Sequence, residues 1–309
     1  MGGLAAARLA AIDDRISFVV HRFVLHNQDI REAGELSLSP GQVGLLSGWG
    51  VFSTLRVAGG VLFAFERHWA RMVRDAARLH IPIPDDPEAI HRKLLELLEA
   101  NGAPECTLRL VIVRNGGGMW AGPSNGREAD VIALTADTKN WGSGVKLAYQ
   151  PNGRHAASPF AGAKMLSWAM NLTWAEEAHD RGFDEVILLN ERGEVAECTS
   201  ANIFAAAAGE VWTPPLNSGC LPGITREVIL EEVCVPGIRI VEKVLYPADL
   251  EAAEEVFITS TTRDLLPVRQ IEDRQVGRGD QARMALQAAF LAFLDGYVAQ
   301  HRQTQAAGR

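Results

Sequence analysis

Between Glu197 and Arg226 the chain sets three unlike features at fixed intervals. The first is a lone carboxylate, Glu197, in the otherwise uncharged strand VAECTSANIF. The second is a Thr213-Pro214-Pro215 turn, and the third is the loop-to-helix junction Leu221-Pro222-Gly223-Ile224-Thr225-Arg226. At that junction Gly223 allows a tight turn, and the first N–H groups of the following helix, led by Ile224 and Thr225, have no intrahelical acceptor. A helix start of this kind attracts anions, phosphate above all. By itself a Pro-Gly junction more often just begins a helix, and a single strand glutamate more often faces water, so each needs its companions.

One of the five lysines also stands apart. Lys93 falls among the polar positions of an amphipathic helix, Lys139 lies in a polar loop, and Lys146 and Lys243 alternate with apolar strand residues as solvent-facing lysines do. Lys164 instead follows Ala161-Gly162-Ala163 and precedes Met165-Leu166-Ser167-Trp168. In such an apolar setting an ammonium is desolvated and its pKa falls toward neutrality. A surface lysine at a loop end fits these residues equally well.

The elements that would position these groups are legible in outline. RISFVVHRFVLHN has the β-branched and aromatic density of a strand, and GVFSTLRV, the Gly59-Gly60 turn and VLFAF read as a hairpin. ERHWARMVRDAARLHI carries apolar residues at helical spacing, and a second helix is expected from behind Asp85-Asp86-Pro87 to Asn101-Gly102. TLRLVIVRN and DVIALTAD are further strands. This gives a smaller N-terminal α/β domain over 1–138. Residues 139–160 mix Gly, Pro and polar residues around the short strand GVKLAY and read as an interdomain linker or active-site loop. A larger C-terminal domain, 161–309, then holds the helix around NLTWAEEAHDRG, strand EVILLN, one strand VAECTSANIFAAAA, strand VWTP, the helix ITREVILEEV and a closing helix QARMALQAAFLAFLDGYVAQ whose apolar face suits packing.

Composition narrows the function. With 309 residues, 47% hydrophobic and 22% charged, the chain suits a globular protein with a substantial core. A formal charge of −8 argues against a nucleic-acid partner, whose affinity rests on many Lys and Arg contacts. Cys106, Cys198, Cys220 and Cys234 form no C-x-x-C pair, so no metal knuckle or disulfide framework is expected. In MGGLAAARLAAIDDR, Arg8 and Asp13-Asp14 make a poor secretory signal, and no run approaches a membrane span. A cytoplasmic enzyme acting on small molecules is expected.

Taken together, these motifs resemble the class IV pyridoxal-phosphate aminotransferases, the group that holds branched-chain aminotransferases, D-amino acid aminotransferases and aminodeoxychorismate lyase. The resemblance begins near GWGVFSTLRVAGGVLFAFERHWARM and runs through FITSTTRDLLPV, most of the chain. It implies a two-domain α/β (α+β) fold of type IV with the active site between the domains, pyridoxal 5′-phosphate as cofactor, amino acid and 2-oxo acid substrates, and a homodimer. Lys164 matches the lysine that forms the aldimine and carries a proton between Cα and the cofactor. Glu197, with Asn202 and Phe204 in a Glu-x-x-x-x-Asn-x-Phe pattern, resembles the strand facing the pyridine nitrogen. A carboxylate there keeps the nitrogen protonated, so that the ring accepts electrons from Cα. Arg71 in His68-Trp69-Ala70-Arg71 matches the phosphate arginine, whose planar fork suits the anion. Ile224, Thr225 and Thr261 match donors to the same phosphate, Leu221 a residue packed on the ring, and Thr262 a neighbour of the substrate carboxylate. His68 is expected to pack or cap locally.

The substrate signals conflict. Phe52-Ser53-Thr54-Leu55-Arg56 is closer to the lyase and D-amino acid patterns than to the Phe-Glu-Gly-Ile-Arg of branched-chain enzymes. Thr107-Leu108-Arg109-Leu110 keeps the arginine of Tyr-x-Arg-Pro without the tyrosine, and Arg114 resembles the carboxylate arginine of D-amino acid enzymes. The Leu221–Arg226 junction and the Thr-Pro-Pro turn read most like branched-chain enzymes. Phe52, Trp168 and Trp49 are candidates to line the pocket, although a core role is the commoner use of tryptophan. In a regular strand Arg109 and Arg114 point to opposite faces, and Arg109 is favoured as the carboxylate reader. Both arginines fit equally well as strand ion-pair partners. The resulting expectation is a branched-chain-type aminotransferase. The alternatives are a D-amino acid aminotransferase, a lyase on the same scaffold, or a non-catalytic carrier of the cofactor.

Overall fold

In the computed structural model, which describes residues 19–38, 43–119 and 126–307, the period-two segments of the first half pair into one antiparallel sheet. Its strands are β1 (Phe23–His26), β2 (Asp29–Glu32), β3 (Gly50–Ala58), β4 (Val61–Leu62), β5 (Cys106–Arg114) and β6 (Ala129–Ala136), in spatial order β2-β1-β6-β5-β3-β4. Among the described residues of the strand expected from Arg15 onward, Phe23–His26 pairs in this sheet and Val20 makes a single bridge to Ala136. Residues 1–18, with the Ala-rich stretch, lie outside the described residues.

A short helix α1 (Val43–Ser47) precedes β3, and α2 (Phe65–Arg78) and α3 (Pro87–Asn101) cover one sheet face. There Leu55, Val57, Met72, Leu94, Leu97 and Leu108 are buried together. Helix α3 starts and stops where its residues dictate: Asp86 accepts the Ala89 N–H at 2.9 Å behind Pro87, and Gly102 ends it at φ 58°. VLFAF, by contrast, is not a full strand. Only Val61 and Leu62 pair with β3; Ala64 at φ 52° turns the chain, and α2 begins at Phe65. The helical period of Phe65, Trp69, Met72 and Ala76, all buried, outweighs the short apolar run.

The second sheet comprises β7 (Val145–Gln150), β8 (Glu185–Leu189), β9 (Val195–Cys198), β10 (Asn202–Ala207), β11 (Glu210–Thr213), β12 (Arg239–Glu242), β13 (Glu255–Ser260), β14 (Asp264–Ile271) and β15 (Arg274–Gln275). Its order is β12-β11-β10-β13-β14-β7-β8-β9, with β15 on β14. Helices α4 (Ala169–Asp180), α5 (Ile224–Glu231), α6 (Pro247–Ala252) and α7 (Gln281–Ala307) accompany it. The apolar face of α7 packs through Leu286, Phe290 and Leu294 with Phe204 and Phe257. Among the described residues no helix is long and apolar enough to cross a membrane.

The short strand read within 139–160 is β7, an interior strand parallel to both β14 and β8, with Val145, Leu147 and Ala148 buried. One expectation is corrected here: VAECTSANIFAAAA is two strands. β9 pairs with β8, β10 with β11 and β13, and the Cys198 N–H donates to Ala201 O across the break at 2.8 Å. Three residues span about 10 Å at most, so the sheet curls until its β9 edge meets β10. That curl brings Glu197 on β9 and Asn202 on β10 to the wall of one cavity.

Candidate active site

The cavity, of about 950 Å³, lies between the two sheets: Phe52, Thr54 and Arg109 line it from the first, Glu197, Asn202 and Thr259 from the second. Lys164 enters it from the loop before α4. The backbone of that loop runs along β3, where the Phe52 N–H donates to Lys164 O at 3.1 Å and the Leu166 N–H to Gly50 O at 2.9 Å. The Lys164 Nζ stands 4.5 Å from the centre of the Phe52 ring and 5.8 Å from that of Trp168. Those two rings meet edge to face at 5.9 Å. Desolvation, aided by the charges of Arg71 and Arg109 and opposed by Glu197 and Asp75, brings the amine down to a pKa of about 7. Lys164 is half-buried and faces the cavity between these two rings.

Arg71 projects from α2, buried. Its Nη2 donates to Ser53 Oγ at 2.8 Å and its Nη1 to Pro222 O at 3.2 Å. Burial lowers its pKa to about 10, which leaves it cationic at neutral pH. Because Ser53 Oγ accepts from Arg71, its own hydrogen goes to His68 Nδ1, 2.7 Å away, and this pattern assigns the His68 proton to Nε2. Burial, with Arg71 and Lys164 nearby, holds the His68 pKa well below its usual value, so this neutral ring steadies Ser53. Pro222 O ties Arg71 to the junction that opens α5, where Gly223 is the N-cap and Ile224 and Thr225 line the cavity. A Cβ at Gly223 would run into Asn202 Oδ1, while Asn202 Nδ2 donates to Leu221 O at 2.8 Å. A side chain at 223 would therefore push Asn202 out of this bond.

Glu197 is 6% exposed. Its Oε1 accepts from Arg154 Nε at 2.8 Å and its Oε2 from the Leu221 N–H at 3.0 Å. Arg154 also reaches Asn171 Oδ1 at 3.3 Å, and Asn171 Nδ2 donates to Thr199 O at 2.6 Å. Arg154 and Asn171 escaped the sequence reading: 43 residues separate Arg154 from Glu197 and no spacing links them. Thr259, whose buried Oγ1 has no hydrogen-bond partner among the described residues, was also missed. Its place in the alternation of β13, two residues before Thr261, was the available signal.

Thr261 and Thr262 lie in the β13–β14 turn, half-buried, and line the cavity, as does Leu221. Arg109 lies with its guanidinium 4.0 Å over the Phe52 ring and has no hydrogen-bond or ion-pair partner among the described residues. Arg114, five residues on, points to the other side. It donates to Gly116 O at 2.7 Å and to His80 O at 2.6 Å and lies 4.2 Å over Trp49, and neither residue is in the cavity wall. Both remain on a regular strand, Arg114 still paired with Ala129, so period two separates them. The structure thus gathers every candidate residue except Arg114 and Trp49, and Trp49 packs against the core of the first sheet.

Residues 50–271 match the family model for amino-transferase class IV. A putative branched-chain-amino-acid aminotransferase of Methanocaldococcus jannaschii is 32% identical over 236 residues, 75% of this chain and 82% of the relative. A D-alanine aminotransferase of Bacillus licheniformis is 27% identical, covering 83% and 90%. Among solved structures, the branched-chain aminotransferase of Thermoproteus uzoniensis with norvaline superposes with a TM-score of 0.81 at 26% identity, over 90% of this chain and 96% of that one.

Proposed function

The chain belongs to the class IV aminotransferases, whose cofactor is pyridoxal 5′-phosphate, and on that footing we propose that it transfers an amino group between a branched-chain-type amino acid and a 2-oxo acid at this cavity. The observation that carries the reading is the convergence, in one cavity, of a lysine amine with a pKa near 7, a buried arginine beside a helix start, and a doubly held carboxylate.

The residues fit the cofactor. Arg71 Nε and Thr259 Oγ1 are buried polar atoms with no protein partner among the described residues, as a site awaiting an anion requires. Each oxygen of Glu197 accepts one bond and keeps a lone pair for a ring N–H. When bound, pyridoxal phosphate supplies the carbonyl that receives the amino group and a ring that accepts electrons from Cα. Arg71, the Ile224 and Thr225 N–H groups and Thr261 would hold its phosphate, Leu221 would lie against its ring, and Glu197 would keep the proton on the ring nitrogen. Lys164 would bind it covalently and carry the proton at Cα, a task suited to an amine that titrates near 7. Arg109 and Thr262 take the substrate carboxylate, while Phe52 and Trp168 wall off an apolar side chain.

The branched-chain preference is supported by the relatives and by the position of Arg114, the residue that resembled the D-amino acid enzymes, outside the cavity. A homodimer is supported by the apolar surface at the cavity's edge, where Met170 and Leu172 are exposed. Borohydride reduction and peptide mapping test the site: label on Lys164 is expected, and label on another lysine overturns the assignment. A screen of 2-oxo acid acceptors with both enantiomers of several donors tests the substrate. Turnover restricted to D-amino acids, or pyruvate release without an acceptor, would replace this reading with one of its rivals.

A further inference from the structure

One buried charge behind the wall of the site has no part in the reactions above. Asp75, 1% exposed, lies on α2 one turn beyond Arg71. Its Oδ2 accepts the backbone N–H of Lys164 at 3.0 Å, and its Oδ1 accepts from Arg74 Nε at 3.1 Å and Nη2 at 2.7 Å. Arg78, farther along the same helix, donates to Ala161 O at 3.2 Å. On the opposite side the segment is pressed against the 220–222 loop: Gly162 has φ 71°, and a Cβ there would come 2.8 Å from Cys220 O. The Lys164 peptide is thus fixed through its N–H to α2 and through its carbonyl to β3. The helix that carries Arg71 therefore also sets where the lysine starts.

A neutral acceptor would satisfy that N–H, whereas a carboxylate must be desolvated to reach it. The surroundings supply a reason for the charge. Facing the Lys164 amine are Arg71 from α2, Arg109 from β5, the neutral His68 from α2 and Glu197 from β9, and Glu197 is already paired with Arg154. Asp75 is the other anion in this group, balanced on its outer side by Arg74.

We propose that Asp75 is a positioning residue for Lys164, tying the lysine's peptide to the helix that bears Arg71 and setting a fixed negative charge behind its amine. The proposal rests on the reading of Lys164 as the cofactor-bearing lysine. Removing the charge destabilises the protonated amine, so the pKa of Lys164 moves further down.

The test follows trace acetylation of Lys164 by acetic anhydride against pH, quantified by peptide mass in the full-length protein freed of cofactor, for wild type, Asp75→Asn and Asp75→Ala. Asp75→Asn keeps the shape and an acceptor for the Lys164 N–H. It is expected to lower the labelling midpoint, with pyridoxal-phosphate affinity within about twofold of wild type. Asp75→Ala is expected to lower the midpoint and to weaken cofactor binding as well. An unchanged midpoint in Asp75→Asn overturns the proposal, and that variant decides alone if Asp75→Ala does not fold. Borohydride label on a different lysine in the wild-type holoenzyme would remove the reading beneath it, a failure the cofactor-free titration does not share.

Discussion

Where the 221–222 loop meets the cavity, Arg71 and Glu197 are each gripped by two neighbours, whereas at the β5 end Arg109 has, among the described residues, only the face of Phe52. The gripped end is built from buried groups whose partners, Ser53, Pro222, Arg154 and Leu221, hold them in place before any anion arrives. Binding there costs little reorganisation. At the loose end Thr262 has one long contact, 3.5 Å to Ser260 Oγ, and the Arg109 side chain must be ordered by whatever binds it. The contrast suits a cofactor retained through turnover beside two substrates that alternate. Substitutions at the gripped end should therefore be costly and alter cofactor chemistry, and those at the loose end milder and specific to substrate.

Glu197→Gln should have the largest effect. An amide sets an NH₂ donor where one of the two carboxylate oxygens accepts, so either Arg154 or the Leu221 N–H would face a donor, and it cannot hold a proton on a ring nitrogen. Single-turnover spectra should show the proton-transfer step slowed by about 10²–10⁴-fold. An unchanged rate would make the carboxylate structural and break the contrast at its strongest point.

Arg71→Ala comes next. Loss of a charge-assisted contact should weaken cofactor binding by about 1.5–3 kcal/mol, roughly 10- to 150-fold. Equilibrium titration measures this, and unaltered affinity would remove Arg71 from the phosphate site.

At the loose end Arg109→Ala should lower kcat/KM for α-amino acids by about tenfold, the loss of one hydrogen-bonded contact to a charged group, and leave amines lacking the carboxylate untouched. Arg114→Ala should change neither. An effect confined to Arg114 would invert the assignment and reopen the D-amino acid reading.

How much of this the residues announce depends on how far each interaction reaches along the chain. Helix α3, the antiparallel β3-β5-β6 ladder and the Gly223 junction follow from capping, alternation and turn chemistry, all of which act within a few residues. The Lys164 setting was legible as an apolar neighbourhood, and period two set Arg109 and Arg114 apart in advance. What stayed hidden is tertiary. The break after Cys198 arises because the sheet curls, which no local pattern records. Arg154, Asn171 and Asp75 meet their partners 43, 28 and 89 residues away, and each looks like an ordinary surface residue in its own segment. VLFAF was misread because a short apolar run suits a strand and a helix start alike.

Ser53→Ala gives the finest test of the contrast, because it touches the grip and leaves the gripping charge in place. Ser53 is fully buried; its Oγ accepts from Arg71 Nη2 and donates to His68 Nδ1. Alanine removes both bonds, yet Arg71 keeps Pro222 O and the rigid α2 beneath it. The expected loss in cofactor affinity is therefore that of an ordinary hydrogen bond, about 0.5–1.5 kcal/mol, or roughly 2- to 10-fold. With cofactor saturating, kcat should stay near wild type, since Ser53 lies behind the arginine and is not in the cavity wall. A loss as large as that of Arg71→Ala would mean that the serine and histidine aim the guanidinium as one cooperative unit. No loss at all would mean that the helix alone aims it, and the hydrogen bonds that distinguish this end from Arg109 would then contribute nothing to binding.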